Sequence, residues 1–207
     1  MYHYSQYRST DMSLIRNFVA HFPLALIISQ QHNQCLCSQI PVFFDEADNR
    51  LFAHVDAQNS QFSGSSLFQS QLVFMGPNLY IPPEAYSSRQ LPTWNYLAVH
   101  ASVTISVIND AIQNLEILRK TALQLASAPS SFRVQDSDTR VGHWIGGIRG
   151  LCIEISEIEG RFKLSQDKSP EDIYAAARYF AEVVSTRVTP EMLLAFSGLK
   201  KGDEEFL

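Results

Sequence analysis

No lysine occurs in the first 100 of the 207 residues, and the arginines there are only Arg8, Arg16, Arg50 and Arg89. With a formal net charge of −5, the chain is not expected to grip nucleic acid directly, because duplex binding is driven largely by Lys and Arg side chains displacing counterions. There is no helix-turn-helix signal and no basic stripe. An anionic ligand held by this half would have to use those few arginines, backbone N–H groups, or residues from elsewhere. Cysteine is scarce as well. Three cysteines, with Cys35 and Cys37 only two apart, cannot form a self-contained disulfide framework, and no second pair completes a zinc site. They read as reduced thiols, two of them on one face of a strand. The longest apolar stretch, near Phe22 to Ile28, is too short to span a bilayer, and Met1-Tyr2-His3-Tyr4-Ser5 lacks a basic segment followed by an apolar run. The expectation is a cytosolic protein with no membrane contact. No glycine fingerprint follows a strand, no phosphate-loop sequence ends in Gly-Lys-Ser/Thr, and no Gly-x-Ser-x-Gly elbow exists, which removes nucleotide-triphosphate and serine-hydrolase chemistry. The six histidines, at 3, 21, 32, 54, 100 and 143, never form a helical pair at metal spacing, so no metal ligands are assigned.

What is present is enough apolar material, 45% of the residues, for a real core. Thr10-Asp11 ahead of Met12, Ile15, Phe18, Val19 and Phe22 predicts a capped amphipathic helix ended by Pro23. Leu24 to Ile28, Cys35 to Phe44 and Leu51 to Val55 read as strands joined by the polar turns Gln30 to Asn33 and Asp45 to Asn49, and such short connections favour antiparallel neighbours. Gln71 to Met75 reads as a strand closed by Gly76-Pro77-Asn78, with Tyr80-Ile81-Pro82-Pro83 as an edge or extended loop. Val99, Ala101, Val103, Ile105 and Val107 alternate with His100, Ser102, Thr104 and Ser106, the strongest strand signal in the chain. The polar face of that strand carries no charge, which suits a subunit-facing surface, and a homodimer is expected to form through it. Asp110 with Gln113 opens a helix carrying Ile112, Leu115, Leu118, Ala122 and Leu125. A looser Ser127 to Asp138 connector follows, then the glycine-rich Gly142 to Gly150 and a strand through Leu151, Ile153 and Ile155. Ser169-Pro170-Glu171-Asp172 and Thr189-Pro190-Glu191 open further helices, and Lys200 to Leu207 reads as a frayed tail. The pattern predicts an α+β architecture with flanking helices around an antiparallel sheet closed or nearly closed into a barrel, filling residues 1–168, with a helical segment over 169–207.

Two stretches hold uncharged polar and aromatic groups where a packed domain usually places charges or aliphatics: Leu91 to His100 and Glu159 to Gln166. Each has the profile of a ligand wall, in which a flat ring supplies area while amides, hydroxyls and one ammonium set orientation. The alternative for the first is a hydrogen-bonded turn with a half-buried tryptophan. The candidate binding residues are Trp94, Asn95 and His100, completed by His54, Asn59, Lys163, Ser165 and Gln166. His54 and His100 sit in strand patterns, where a neutral imidazole offers both a donor and an acceptor or simply a structural hydrogen bond. Lys163 could hold a phosphate or a flavin carbonyl, or be a solvated surface lysine. No catalytic residue is assigned.

Gly76-Pro77-Asn78-Leu79-Tyr80-Ile81-Pro82-Pro83, Pro92-Thr93-Trp94-Asn95-Tyr96 with Val99-His100, and Lys163-Leu164-Ser165-Gln166, in this order, resemble the signature blocks of the FMN-binding negative transcriptional regulators, the PaiB-like proteins. The resemblance covers Met1 to about Asp172. It implies a split β-barrel related to flavin reductases and pyridoxamine-phosphate oxidases, a homodimer with flavin sites between subunits, FMN or another flat molecule as ligand, and a regulatory role. A flavin-dependent reductase or oxidase, or a barrel that has lost its ligand, are the alternatives. One departure bears on affinity. Where the family tends to have Gly-His-Val-Ala-Arg-Ala-Asn-Pro, this chain reads Ala53-His54-Val55-Asp56-Ala57-Gln58-Asn59-Ser60, so Ala57 stands in place of an arginine suited to the flavin phosphate. Asn78 and Pro82 also depart from the family's His and Ser. FMN is therefore expected to bind more weakly than the fold would suggest.

Overall fold

The Asp11 side chain accepts from the backbone N–H groups of Ser13 and Leu14, and this cap starts α1 (Met12–His21), whose Ile15, Phe18 and Val19 turn inward. The computed structural model describes residues 4–31, 33–45, 48–64, 66–126, 132–135 and 139–186. The helix start predicted at Thr189, the tail from Lys200 and most of the Ser127 to Asp138 connector lie outside them. Along the chain follow β1 (Arg8–Ser9), α1, β2 (Leu24–Gln31), β3 (Gln34–Pro41), β4 (Phe43–Phe44), β5 (Arg50–Asp56), β6 (Leu67–Ile81), β7 (Thr93–Ile108), α2 (Ala111–Gln124), α3 (Thr139–Trp144), β8 (Ile148–Lys163) and α4 (Pro170–Thr186). Eight strands form one sheet in the order β3-β2-β6-β7-β8-β5-β4, with β1 added to β8. The path is open at β3 and β4, a split barrel rather than a closed one, and the assigned pairs of β2 with β3 and β6, and of β8 with β1 and β5, are antiparallel.

The chain divides into two compact units, Met1–Gly76 with Leu97–Phe162, and Pro77–Tyr96 with Lys163–Leu207. In the first, Val99, Ala101, Val103 and Ile105 of β7 are buried as their alternation predicts, and they pack with Ile15, Ile27, Phe62, Leu72, Phe74, Leu151 and Ile153. In the second, Leu79, Ile81 and Tyr86 pack with Ala176 of α4.

Two expectations are corrected. Gly76-Pro77-Asn78 does not close a strand, because β6 runs through it to Ile81. The glycine is there for packing: a Cβ at position 76 would lie 2.8 Å from the Phe18 ring, so its absence lets α1 lie against the strand. The inward face of α2 is Asn114, Ile117 and Thr121, whereas Ile112 is 81% exposed and Leu125 57%. Asn114 is buried because its side chain accepts from the Gly150 N–H at 2.8 Å and donates to the Ile148 carbonyl at 3.3 Å, a long-range pairing that overrides the helix's apolar periodicity.

Candidate functional site

The two signature blocks prove to be strand ends. Thr93-Trp94-Asn95-Tyr96 opens β7 and is not a turn, whereas Glu159 to Lys163 closes β8 and Leu164 to Gln166 turn away from it. Their joint specificity has a structural basis within the second unit. Lys163 Nζ donates to Thr93 Oγ1 at 2.8 Å, and Asn95 Nδ2 donates to Ser165 Oγ at 3.0 Å. Ser165 Oγ also pairs with the Tyr86 hydroxyl at 3.0 Å. Asn95 and Ser165 are each 1% exposed. Ser165 adopts φ 65°, a left-handed conformation that costs a residue with a Cβ roughly 1–2 kcal/mol. The hydrogen bonds from Asn95 and Tyr86 offset that cost, and the Lys168 N–H donates back to the Ser165 carbonyl to close the turn. Gln166 Oε1 accepts from the Leu164 N–H at 2.6 Å. These polar groups thus tie the two blocks to each other.

Trp94 points the other way. The pleat that turns Asn95 inward sends its neighbour to the opposite face, where Trp94 is 50% exposed, donates Nε1–H to Asn78 Oδ1 at 3.2 Å and lies 6.2 Å from the Tyr80 ring. This pair is an accessible aromatic platform.

Sequence reasoning placed Asp172 at a helix start and missed its larger role. The residue is fully buried, accepting from the Ser88 N–H at 2.9 Å, the Ser88 hydroxyl at 2.6 Å and Gln90 Nε2 at 2.8 Å. The Ser88 hydroxyl above all holds its carboxyl below the usual carboxylate range, and the first turn of α4 thereby anchors the segment after Tyr86. No local pattern links residues 88 and 172.

The first unit holds the remaining candidates. His54 lies in β5 opposite Gly150, and burial lowers its pKa, which keeps the imidazole neutral near pH 7. His100 in β7 is lowered by burial and by the Arg161 guanidinium, with Glu159 opposing. Glu159 itself receives Arg8 at 2.5 Å and also pairs with Arg161; burial works against its charge, yet these hydrogen bonds outweigh it and depress its pKa. Asn59 caps the 3-10 turn Ser60–Phe62 through the Gln61 N–H and donates to Ser38 Oγ at 3.1 Å, so both ends of its amide are engaged. Arg149, paired across the sheet with Val55, reaches the same turn and donates to the Phe62 carbonyl at 3.1 Å. Among the described residues no three His, Cys, Asp or Glu side chains gather as metal ligands, and no helix is long and apolar enough to cross a membrane.

Residues 1–157 match the family model described as "Putative FMN-binding domain". The chain belongs to this family. It is 25% identical over 182 residues to the "Protease synthase and sporulation protein PAI 2" of Bacillus subtilis (strain 168), a match covering 83% of this chain and 85% of the relative. Among solved structures, the flavocytochrome Anf3 of Azotobacter vinelandii superposes with a TM-score of 0.62 at 16% identity, over 84% of this chain and 78% of that one. The FAD and heme binding protein of Mycobacterium smegmatis does so with a TM-score of 0.62 at 13% identity, over 82% and 80%. At those identities the likeness establishes the fold. The chain is a PaiB-like split-barrel protein of the FMN-binding type. Each unit holds groups of the chemical kind a flavin takes: in the first, neutral half-buried imidazoles that can both donate and accept, and in the second, an ammonium beside a hydroxyl and an accessible indole face.

Proposed function

We propose that this protein binds FMN and serves as a homodimeric cytoplasmic regulator. The family match over residues 1–157 is the observation that carries the reading. Trp94, His54, His100 and Lys163 are the residues assigned to border the flavin. Gln166 and Asn59 border it too, while the buried Asn95 and Ser165 support the wall from the other strand face through their hydrogen bonds. When bound, the flavin supplies electron transfer, and the protein's part is orientation and exclusion of water. The regulatory role rests on the resemblance of the sequence blocks to the FMN-binding negative transcriptional regulators and on a relative named for protease synthesis and sporulation. With a net charge of −5 and no basic stripe in the sequence, it acts through the ligand or a partner protein rather than its own grip on DNA. The named neighbours, a flavocytochrome and an FAD and heme binding protein, favour an FMN-dependent oxidoreductase as the second reading.

Titrating FMN and riboflavin, followed by flavin fluorescence, tests the proposal. FMN binding is expected, with Lys163→Ala weakening it about 10-fold or more and Ala57→Arg strengthening it. A charge-assisted hydrogen bond to the phosphate is worth about 1.5–3 kcal/mol. Riboflavin, which lacks the phosphate, should bind all three proteins alike. Equal FMN affinities in the three would remove both residues from the phosphate site, and no flavin binding by the wild type would overturn the proposal.

Self-association is assigned to the outer face of the sheet in the first unit. Thr104 and Ser106 share it with Leu24, Leu26, Ile28, Val73 and Met75; Leu24 is 51% and Met75 59% exposed, and Ser102 is hydrogen-bonded to Gln71 at 3.0 Å. This largely apolar face, with Glu157 beside Gln71 and Ser102 at its margin, is stabilised by covering it. Thr104→Arg should dissociate the dimer in sedimentation velocity by placing an unpaired charge there. A wild type that sediments as a monomer at micromolar concentration would exclude the interface.

A further inference from the structure

Two of the three cysteines, Cys35 and Cys37, are exposed, unusual for a residue type that is among the most buried in folded proteins. They alternate outward along β3, the strand that ends the sheet path, with Leu36, Ser38 and Ile40 turned the other way. Their cross-strand partners are Gln30 and Ile28, and the two side chains rise from the same face of β3. From Leu24 through Pro41 the sequence has no Lys, Arg, Asp or Glu. A cavity of about 720 Å³ opens beside Cys35, bordered chiefly by neutral polar groups such as Gln30, Ser70, Gln71 and Ser102. Its one carboxylate, Glu157, joins no three-residue ligand cluster with the cysteines.

Strand geometry decides what this pair can do. Residues two apart on a strand have Cα atoms about 6.6–6.8 Å apart and Cβ atoms pointing the same way. A disulfide prefers about 5.5–6 Å between Cα atoms and about 3.5–4.5 Å between Cβ atoms, so closing one here would strain the strand. An ion bridging two sulfurs is better matched. With about 2.3 Å per metal–sulfur bond it spans up to roughly 4.6 Å, which two thiols leaning toward each other can supply. Two ligands fall short of the four that a structural zinc takes. Thiolates select soft ions, and the neutral strands offer no competing carboxylate for a hard one.

We propose that Cys35 and Cys37 form a two-coordinate site for a soft monovalent cation of the Cu⁺ type. Binding forms two S–Cu bonds and breaks two S–H bonds. Both protons go to solvent, no atom is oxidised or reduced, and the bound unit carries one negative charge. The site is independent of the flavin reading and lies at the edge of the face assigned to self-association, Cys37 standing opposite Ile28.

The test is an anaerobic competition titration of the full chain with Cu⁺ delivered from bicinchoninate, ascorbate being kept in excess. One Cu⁺ per chain is expected for the wild type and for Cys152→Ser, with a thiolate-to-copper band in the ultraviolet. Cys35→Ser and Cys37→Ser should each weaken uptake by about 100-fold, since either removes half of the ligands. Both substitutions are at exposed positions, and far-ultraviolet circular dichroism checks that the fold is kept. Full affinity in either single variant would overturn the site, as would equal loss in Cys152→Ser or one ion shared by two chains. Failure to compete with bicinchoninate would mark an adventitious ion only and overturn it as well.

Discussion

Gly150→Val is expected to lower the stability of the protein by about 3 kcal/mol and the thermal midpoint by roughly 6–12 °C. The place is crowded from two sides. A Cβ at position 150 would stand 2.5 Å from Ile117 Cδ1 and 2.7 Å from Asn114 Oδ1. Both belong to the buried face of α2, and the Asn114 carbonyl oxygen is the acceptor for the Gly150 N–H. Moving it aside leaves a buried donor unpaired, which adds about 1–3 kcal/mol to the cost of overpacking. Differential scanning fluorimetry of Gly150→Ala and Gly150→Val should show the valine as the worse of the two. Wild-type midpoints in both would mean that α2 can lift away from β8 without loss.

Asn95→Ala should cost about 2–3 kcal/mol, because Asn95 both donates to and accepts from Ser165 in a buried site. The loss is expected to be local before it is global. Ser165 keeps the Tyr86 hydroxyl as a partner, yet its positive φ then has less to hold it, so the turn after β8 should open first. Hydrogen exchange should read faster exchange at Lys168, whose N–H donates to the Ser165 carbonyl. Denaturant unfolding gives the total. If Asn95→Ala matches wild type in both measurements, the Asn95–Ser165 pair is not what joins the two signature blocks.

What could be read from the chain was whatever depends on neighbours in sequence. The cap at Asp11, the Asp110 cap that accepts from the Gln113 N–H at 2.9 Å, the alternation from Val99 to Val107 and the α4 start at Pro170 are all local rules and all hold. Cys35 and Cys37 also lie together on one strand face, as their spacing requires.

The candidate site was legible as composition but not as arrangement. The unusual polarity of Leu91 to His100 and Glu159 to Gln166 marked two segments that the fold joins through Lys163–Thr93 and Asn95–Ser165. The strand pleat then divided their roles, with Trp94 left accessible on one face and Asn95 used on the other to hold Ser165. A sequence lists both as polar or aromatic neighbours and is silent about which side each will face.

By itself the sequence determined the antiparallel α+β class, the capped helices, the absence of a phosphate loop and, through its signature blocks, the family. The tertiary structure alone decided that β6 passes through Gly76-Pro77-Asn78, that α2 buries Asn114 in preference to Ile112, and that Asp172 anchors Ser88 and Gln90. The physical reason is the same in each case. Local propensities act over a few residues, whereas a missing Cβ beneath Phe18, the N–H of Gly150 or a hydroxyl at Ser88 acquires its meaning only when a distant segment is brought against it.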